Sequence, residues 1–137
     1  MERIEVAAGV LFRSGKLLIT KRKKGSHLGG YWEFPGGKRE RGETFQQCLQ
    51  RELKEEIGVE VTVDECLHVK SHQYPEKLVY IEFFLCLAAK GDPHPLDCQE
   101  IKWIKKKELN KYEFPEADSE LLQILAVRPK LWSPSGN

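Results

Sequence analysis

The chain carries almost no net charge. Its 22 Lys and Arg stand against 21 Asp and Glu, leaving +1 at neutral pH, so no global field draws it to nucleic acid or to a membrane surface. Any anion binding has to come from a local cluster, and no stable nucleic-acid partner is expected. Long apolar runs are also missing: the longest, Ile81 to Ala89, is broken by Glu82 and is too short to span a bilayer. Cysteine is sparse. Cys48, Cys66, Cys86 and Cys98 are scattered with no CxxC pair, which argues against a zinc site and against a disulfide-dense secreted scaffold, and reads as reduced thiols. There are no internal repeats or low-complexity tracts. Met1–Ile4 leads straight into a strand pattern rather than a secretory leader, so the expectation is a cytoplasmic protein. A chain of 137 residues makes one domain that buries roughly two thirds of its unfolded surface. Residues 1–128 are assigned to that domain, and 129–137 to a polar tail expected to fray.

What is present alternates between strand and helix patterns. Ile4–Phe12 and Leu17–Arg22 read as strands joined at Arg13-Ser14-Gly15-Lys16, a hairpin. Residues 21–27 (KRKKGSH) form the most basic stretch of the chain, suited to phosphate through charge-assisted hydrogen bonds, or simply a solvated loop. Trp32 and Phe34 alternate as on a short strand, and Pro35-Gly36-Gly37 then forces a tight turn that lets backbone approach a ligand. Val59–Val69 and Leu78–Ala89 read as strands; the second is apolar on both faces and is therefore expected at the sheet centre. Ile101–Ile104 is a short strand, and Ala117–Val127 a helix with Leu121, Leu122 and Leu125 at helical spacing.

The run from Gly37 to Val59 organises the rest. Thr44 followed three residues later by Gln47 reads as a capping box, and Gly58 closes the helix as a residue that tolerates positive φ, so a helix is expected over Phe45–Ile57. Glu52, Glu55 and Glu56 stand at i, i+3 and i+4 on one side of it. Glu52 lies seven residues after Phe45, and Glu56 seven after Leu49, so the stripe that begins as core ends as carboxylate. Like charges on an inward-leaning face repel and lose hydration unless a cation or a basic group compensates. Carboxylate oxygens beside a backbone carbonyl suit a hard divalent cation.

These residues resemble the Nudix box, G-x5-E-x7-R-E-U-x-E-E-x-G-U with U a bulky aliphatic. Gly37, Glu43, Arg51, Glu52, Leu53, Glu55, Glu56, Gly58 and Val59 match it at every fixed position. The resemblance implies an α+β fold, the Nudix-type α/β/α sandwich with a mixed β-sheet, and hydrolysis of a nucleoside diphosphate linked to another group with Mg²⁺ (or Mn²⁺) as cofactor. Glu52, Glu55 and Glu56 are then the catalytic carboxylates and, with the Gly36 carbonyl, metal ligands; Glu43 and Arg51 support them.

The chain is similar to the MutT-type branch over roughly residues 4–127. The likeness rests on His27 ahead of Glu33-Phe34-Pro35-Gly36-Gly37, Arg22 after the second strand, Asp97 six residues before Trp103, and Phe114–Asp118. It implies a nucleoside triphosphate substrate cleaved to the monophosphate and pyrophosphate by a monomer or weak dimer. Arg22 and His27 would meet phosphates or sugar, and Phe34 and Tyr74 the base, with Lys77 also at the nucleotide. Asp97, with Glu100 as the alternative, would be the distal metal carboxylate. Asp118 occupies the base-reading position, where the bacterial 8-oxo-dGTPase has Asn; its other reading is a helix N-cap. An ionised Asp accepts only, whereas a protonated one also donates, so oxidised (d)NTPs such as 8-oxo-dGTP and cytidine-type triphosphates both remain open. A non-catalytic nucleotide-sensing module is the competing class.

Overall fold

A computed structural model describes residues 2–26 and 28–134, without the side chains of residues 88 and 89. Two opening strands, β1 (Glu2–Arg13) and β2 (Lys16–Lys21), make the expected hairpin, with Phe12 opposite Leu17. Short strands β3 (Trp32–Glu33) and β4 (Gly36–Lys38) follow, then helix α1 (Phe45–Ile57). Long strands β5 (Glu60–Gln73) and β6 (Lys77–Lys90) come next, then β7 (Glu100–Ile104) and, after a 3-10 turn at Glu116–Asp118, helix α2 (Ser119–Ala126). Strand β1 runs parallel to β6 and antiparallel to β2 and β4, so the sheet is mixed; its order is β3-β2-β1-β6-β5, with β4 on β1 and β7 on β2. Strand β6 lies between β1 and β5, the interior place its two apolar faces require.

The sheet is packed on both sides, and strand alternation decides which residue goes where. On β1, Ala8, Val10 and Phe12 enter one core with Ile81, Phe83 and Leu85 of β6 and Leu121 and Leu125 of α2. Ala7 and Leu11 enter the other, with Phe84 and Cys86 and with Cys48, Leu49, Leu53 and Ile57 of α1. Thr20 shares the face of Leu18 on β2, beneath α1, and is fully buried there. Cys48, Cys86 and Cys98 are buried free thiols, and Cys66 is exposed.

Three expectations need correction. The strands expected at Val59–Val69 and Leu78–Ala89 run closer together than those bounds: β5 and β6 pair out to Gln73 opposite Leu78, leaving only Tyr74-Pro75-Glu76 as the turn. The closing helix is shorter than expected, because its first residues form the separate 3-10 turn. The segment after residue 128 is not a frayed tail throughout. Pro129–Trp132 forms a 3-10 turn, and Trp132 is buried edge-on against Phe12 at 5.0 Å, its indole N–H donating to the Leu125 carbonyl at 3.0 Å. An indole that both fills a core and finds an acceptor holds its segment down. Residues 135–137 lie outside the described residues. No described helix is long and apolar enough to cross a membrane.

Candidate active site

Helix α1 is capped as its sequence requires. Thr44 Oγ1 accepts from the Gln47 N–H at 3.0 Å, Gln47 Oε1 accepts from the Thr44 N–H at 2.9 Å, and Gly58 closes the helix in the left-handed region at φ 75°. With both ends held, the rotation of the helix about its axis is set by Leu49, Leu53 and Ile57 in the core. That rotation turns Glu56 inward, to 8% exposure, and keeps Glu52 half-buried, while Glu55 points out. The three box carboxylates therefore do not share one environment, as their common side of the helix had implied.

The Gly36–Gly37 bend lies against this helix. The Gly36 N–H donates to Glu56 Oε2 at 3.3 Å, and β4 pairs with β1 at Ala7 and Ala8. A Cβ at Gly37 would stand 2.3 Å from the Glu52 carboxyl carbon, and one at Gly36 2.0 Å from the Ala7 carbonyl oxygen. Glycine is required at Gly36, where backbone stands too close for any Cβ; at Gly37 a Cβ would displace the Glu52 carboxylate.

Arg51 binds the outer side of the cluster. Its guanidinium donates to Glu43 at 2.7 and 3.1 Å, to Glu52 and Glu55 at 3.1 Å each, and to the Lys38 carbonyl at 3.1 Å. The Arg51 hydrogen bonds hold the Glu43 carboxyl down at about 2, helped by the Glu40 N–H. Among the described residues no comparable cation serves Glu56. Burial, and then the neighbouring Glu33 charge, push its carboxyl up to about 8, against the opposing pull of the Gly36 N–H. Burial raises Glu52 too, with Arg51 opposing it.

Beyond this cluster opens a cavity of about 280 Å³, lined by Val6, Ala8, Phe34, Val79, Ile81 and Phe83 on its apolar side and by Arg22, Glu33, Tyr74, Lys77 and Asp118 on its polar side. Phe34 is packed edge-on to Phe83 at 6.0 Å and stacked on Phe114 at 5.6 Å. The Lys77 ammonium sits over the Tyr74 ring at 5.6 Å. Asp118 stands at the N-cap position of α2, as its other reading has it, but its side chain makes no capping bond and is buried, at 6% exposure, against the cavity. Burial and then the Glu33 charge push it up to about 7, with Arg22 opposing. Glu33, to which sequence reasoning gave no role, stands between the box and this cavity: it is ion-paired with Arg22 at 2.9 Å and raised by burial. Its signal was present, an acid between the buried Trp32 and Phe34 three positions before the bend, but its partners Arg22, Glu56 and Asp118 come from distant parts of the chain.

Asp97 is placed differently from the expectation for a metal ligand. Its exposed carboxylate pairs with Lys23 at 2.6 Å, while its N–H donates to the Glu56 carbonyl at 3.0 Å. Glu100, the alternative, is on β7 opposite Lys21. Among the described residues, no three His, Cys, Asp or Glu side chains converge as a preformed metal cluster. His27 lies outside the described residues.

The fold and this cluster define a hydrolase class, and comparison with known proteins agrees. The NUDIX domain family model matches residues 7–123, and the chain belongs to the Nudix hydrolase family, in its MutT-like branch. It is 36% identical to an 8-oxo-dGTP diphosphatase of Haemophilus influenzae, over 89% of this chain and 90% of that protein. It is also 36% identical to a CTP pyrophosphohydrolase of Escherichia coli, over 94% and 98%. The solution structure of the E. coli ORF135 protein superposes with a TM-score of 0.82 at 33% identity, covering 94% of this chain and 95% of that one.

Proposed function

We propose that this protein is a divalent-metal-dependent nucleoside triphosphate pyrophosphohydrolase that releases the monophosphate and pyrophosphate, with oxidised or modified (d)NTPs such as 8-oxo-dGTP as substrates. The observation that carries the reading is the juxtaposition of the buried, under-neutralised Glu56 and the half-buried Glu52 at the Gly36–Gly37 bend with an apolar cavity ending in Asp118. The names of the relatives support it for both an oxidised guanine and a cytosine nucleotide.

The donor set suits Mg²⁺ or Mn²⁺, because oxygen ligands that are costly to ionise alone are stabilised by a bound dication. Glu52, Glu55, Glu56, the Gly36 carbonyl and Asp97 would hold it. When bound, such a cation neutralises phosphate charge and makes water a better nucleophile. The residues do the rest. Glu52, held by Arg51 and pressed to Gly37, takes the proton of the water attacking the β-phosphorus. Arg22 lies at the cavity and neutralises phosphate charge; the resemblance assigns His27 to phosphate or sugar as well. Phe34 and Tyr74 flank the base, Lys77 closes the rim, and Asp118 reads the polar edge.

Asp118 also favours a second reading, a cytidine-type triphosphate, because its ionised form accepts from an exocyclic amino group. A panel of normal and oxidised (d)NTPs, ranked by kcat/KM with products identified, tests both. Pyrophosphate release from at least one is expected; no release from any, with tight nucleotide binding retained, would favour a sensing module.

A further inference from the structure

Two consecutive basic residues leave β2 in different directions. Arg22 pairs with Glu33 at the cavity, and Lys23 reaches Asp97 at 2.6 Å. The loop carrying Asp97 is pinned to the end of α1: the Leu96 and Asp97 N–H groups both donate to the Glu56 carbonyl at 3.0 Å, and the His94 N–H donates to that of Ile57 at 2.9 Å. The Gln99 N–H donates to the Lys21 carbonyl at 2.9 Å and ties the same loop to the base of the basic segment. Backbone thus ties Asp97 to the main chain of Glu56 at the end of α1, while its side chain is turned to a lysine. Both partners are more than half exposed, so the pair is weakly held and easily exchanged.

We propose that Lys23 is a positioning residue that occupies Asp97 in the free protein and releases it when a triphosphate arrives. The ammonium moves from the Asp97 carboxylate to a phosphate oxygen, and the freed carboxylate turns to the divalent cation at the box. No covalent bond changes; one ion pair is exchanged for two. The consequence is coupling: nucleotide tightens the metal, and by linkage the metal tightens nucleotide to the same degree. The inference rests on the reading of Asp97 as a metal ligand.

The test is Mn²⁺ titration followed by the spin-resonance signal of the free ion, with and without the non-hydrolysable α,β-methylene analogues of dGTP and CTP. In the unaltered protein an analogue that binds should tighten Mn²⁺ by about tenfold. Lys23→Gln should tighten Mn²⁺ about two- to fivefold without nucleotide, the fold-change set by losing an exposed competing pair, and should shrink the coupling. Asp97→Asn should weaken Mn²⁺ in the nucleotide complex and abolish the coupling. In the Asp97→Asn background, Lys23→Gln should leave nucleotide-free Mn²⁺ affinity unchanged. If the Lys23→Gln effect survives that background it is general charge removal, and the exchange is overturned, as it is if Lys23→Gln does nothing alone. Unaltered Mn²⁺ affinity of the Asp97→Asn nucleotide complex would instead remove Asp97 from the metal ligands, taking the proposal with it.

Discussion

Glu43 and Glu56 belong to the same motif, and the protein treats them in opposite ways. Glu43 stands on the outer side, where Arg51 bonds it twice and its carboxyl falls to about 2. Glu56 stands on the inner side, against Glu33 and the Gly36 N–H, and its carboxyl rises to about 8. The outer half of the cluster is electrostatically closed and serves as scaffold. The inner half is left short of positive charge, and with Asp118 also raised, to about 7, the shortage runs from the helix into the cavity. Groups pushed this way by burial and like charge are where cations and reacting groups are handled.

The sharpest way to break the contrast is to neutralise the inner side. Glu56→Gln should lower kcat by about a thousandfold. It should also stabilise the metal-free protein, because a carboxyl whose folded pKa is raised binds its proton more tightly than the unfolded chain does. That stability is present below about pH 4.5 and is lost as pH rises through about 8. Thermal melts of metal-free protein should therefore show the variant and the parent converging near pH 5 and separating at pH 8, by a few kcal/mol on the order set by the shift. A melting gap that does not change with pH would contradict the burial argument.

Gly37→Ala tests the same side by geometry. Its Cβ would meet the Glu52 carboxyl at 2.3 Å, so the carboxylate must move, and turnover should fall about a hundredfold with little change in KM. On the outer side, Arg51→Met removes the scaffold cation. Its contacts are partly exposed, so the expected cost is about 1 kcal/mol, a few degrees in Tm, with a modest loss of kcat as Glu52 loses its hold; steady-state kinetics beside a melt separates the two.

Asp118→Asn should have the smallest overall effect and the most selective one. Protonated Asp118 donates and accepts; above about pH 7 it only accepts. The ratio of kcat/KM for 8-oxo-dGTP over CTP should therefore fall, by about tenfold, as pH rises from 6 to 8, and the Asn variant should show a flat ratio. A parent ratio that does not move with pH would remove Asp118 from base reading.

The contrast between Glu43 and Glu56 was half legible in the sequence. Local signals placed α1: the Thr44–Gln47 box, Gly58, and the seven-residue relation of Glu56 to Leu49, so the inward turn of Glu56 followed from helical period alone. The same period also sets Glu55 about 100° round the helix from Glu56, so grouping it with Glu52 and Glu56 on one side passed over its outward turn to Arg51. Glu33 and Asp118 converge through the β2–β3 pairing and the turn before α2, contacts between residues far apart in the chain that no local pattern encodes. Trp132 escaped for a related reason: in a polar, proline-containing segment its only cue was its own size, and its partner Phe12 sits at the other end of the chain.

If the inward carboxylates of α1 are kept short of charge so that a dication can sit among them, binding one must expel a proton. Titrating Mn²⁺ into the protein at pH 7.0 by calorimetry, in buffers of different ionisation enthalpy, should show nearly one proton released, with the release lost in Glu56→Gln. Mn²⁺ binding with no proton release, or with release unaltered in Glu56→Gln, would contradict it.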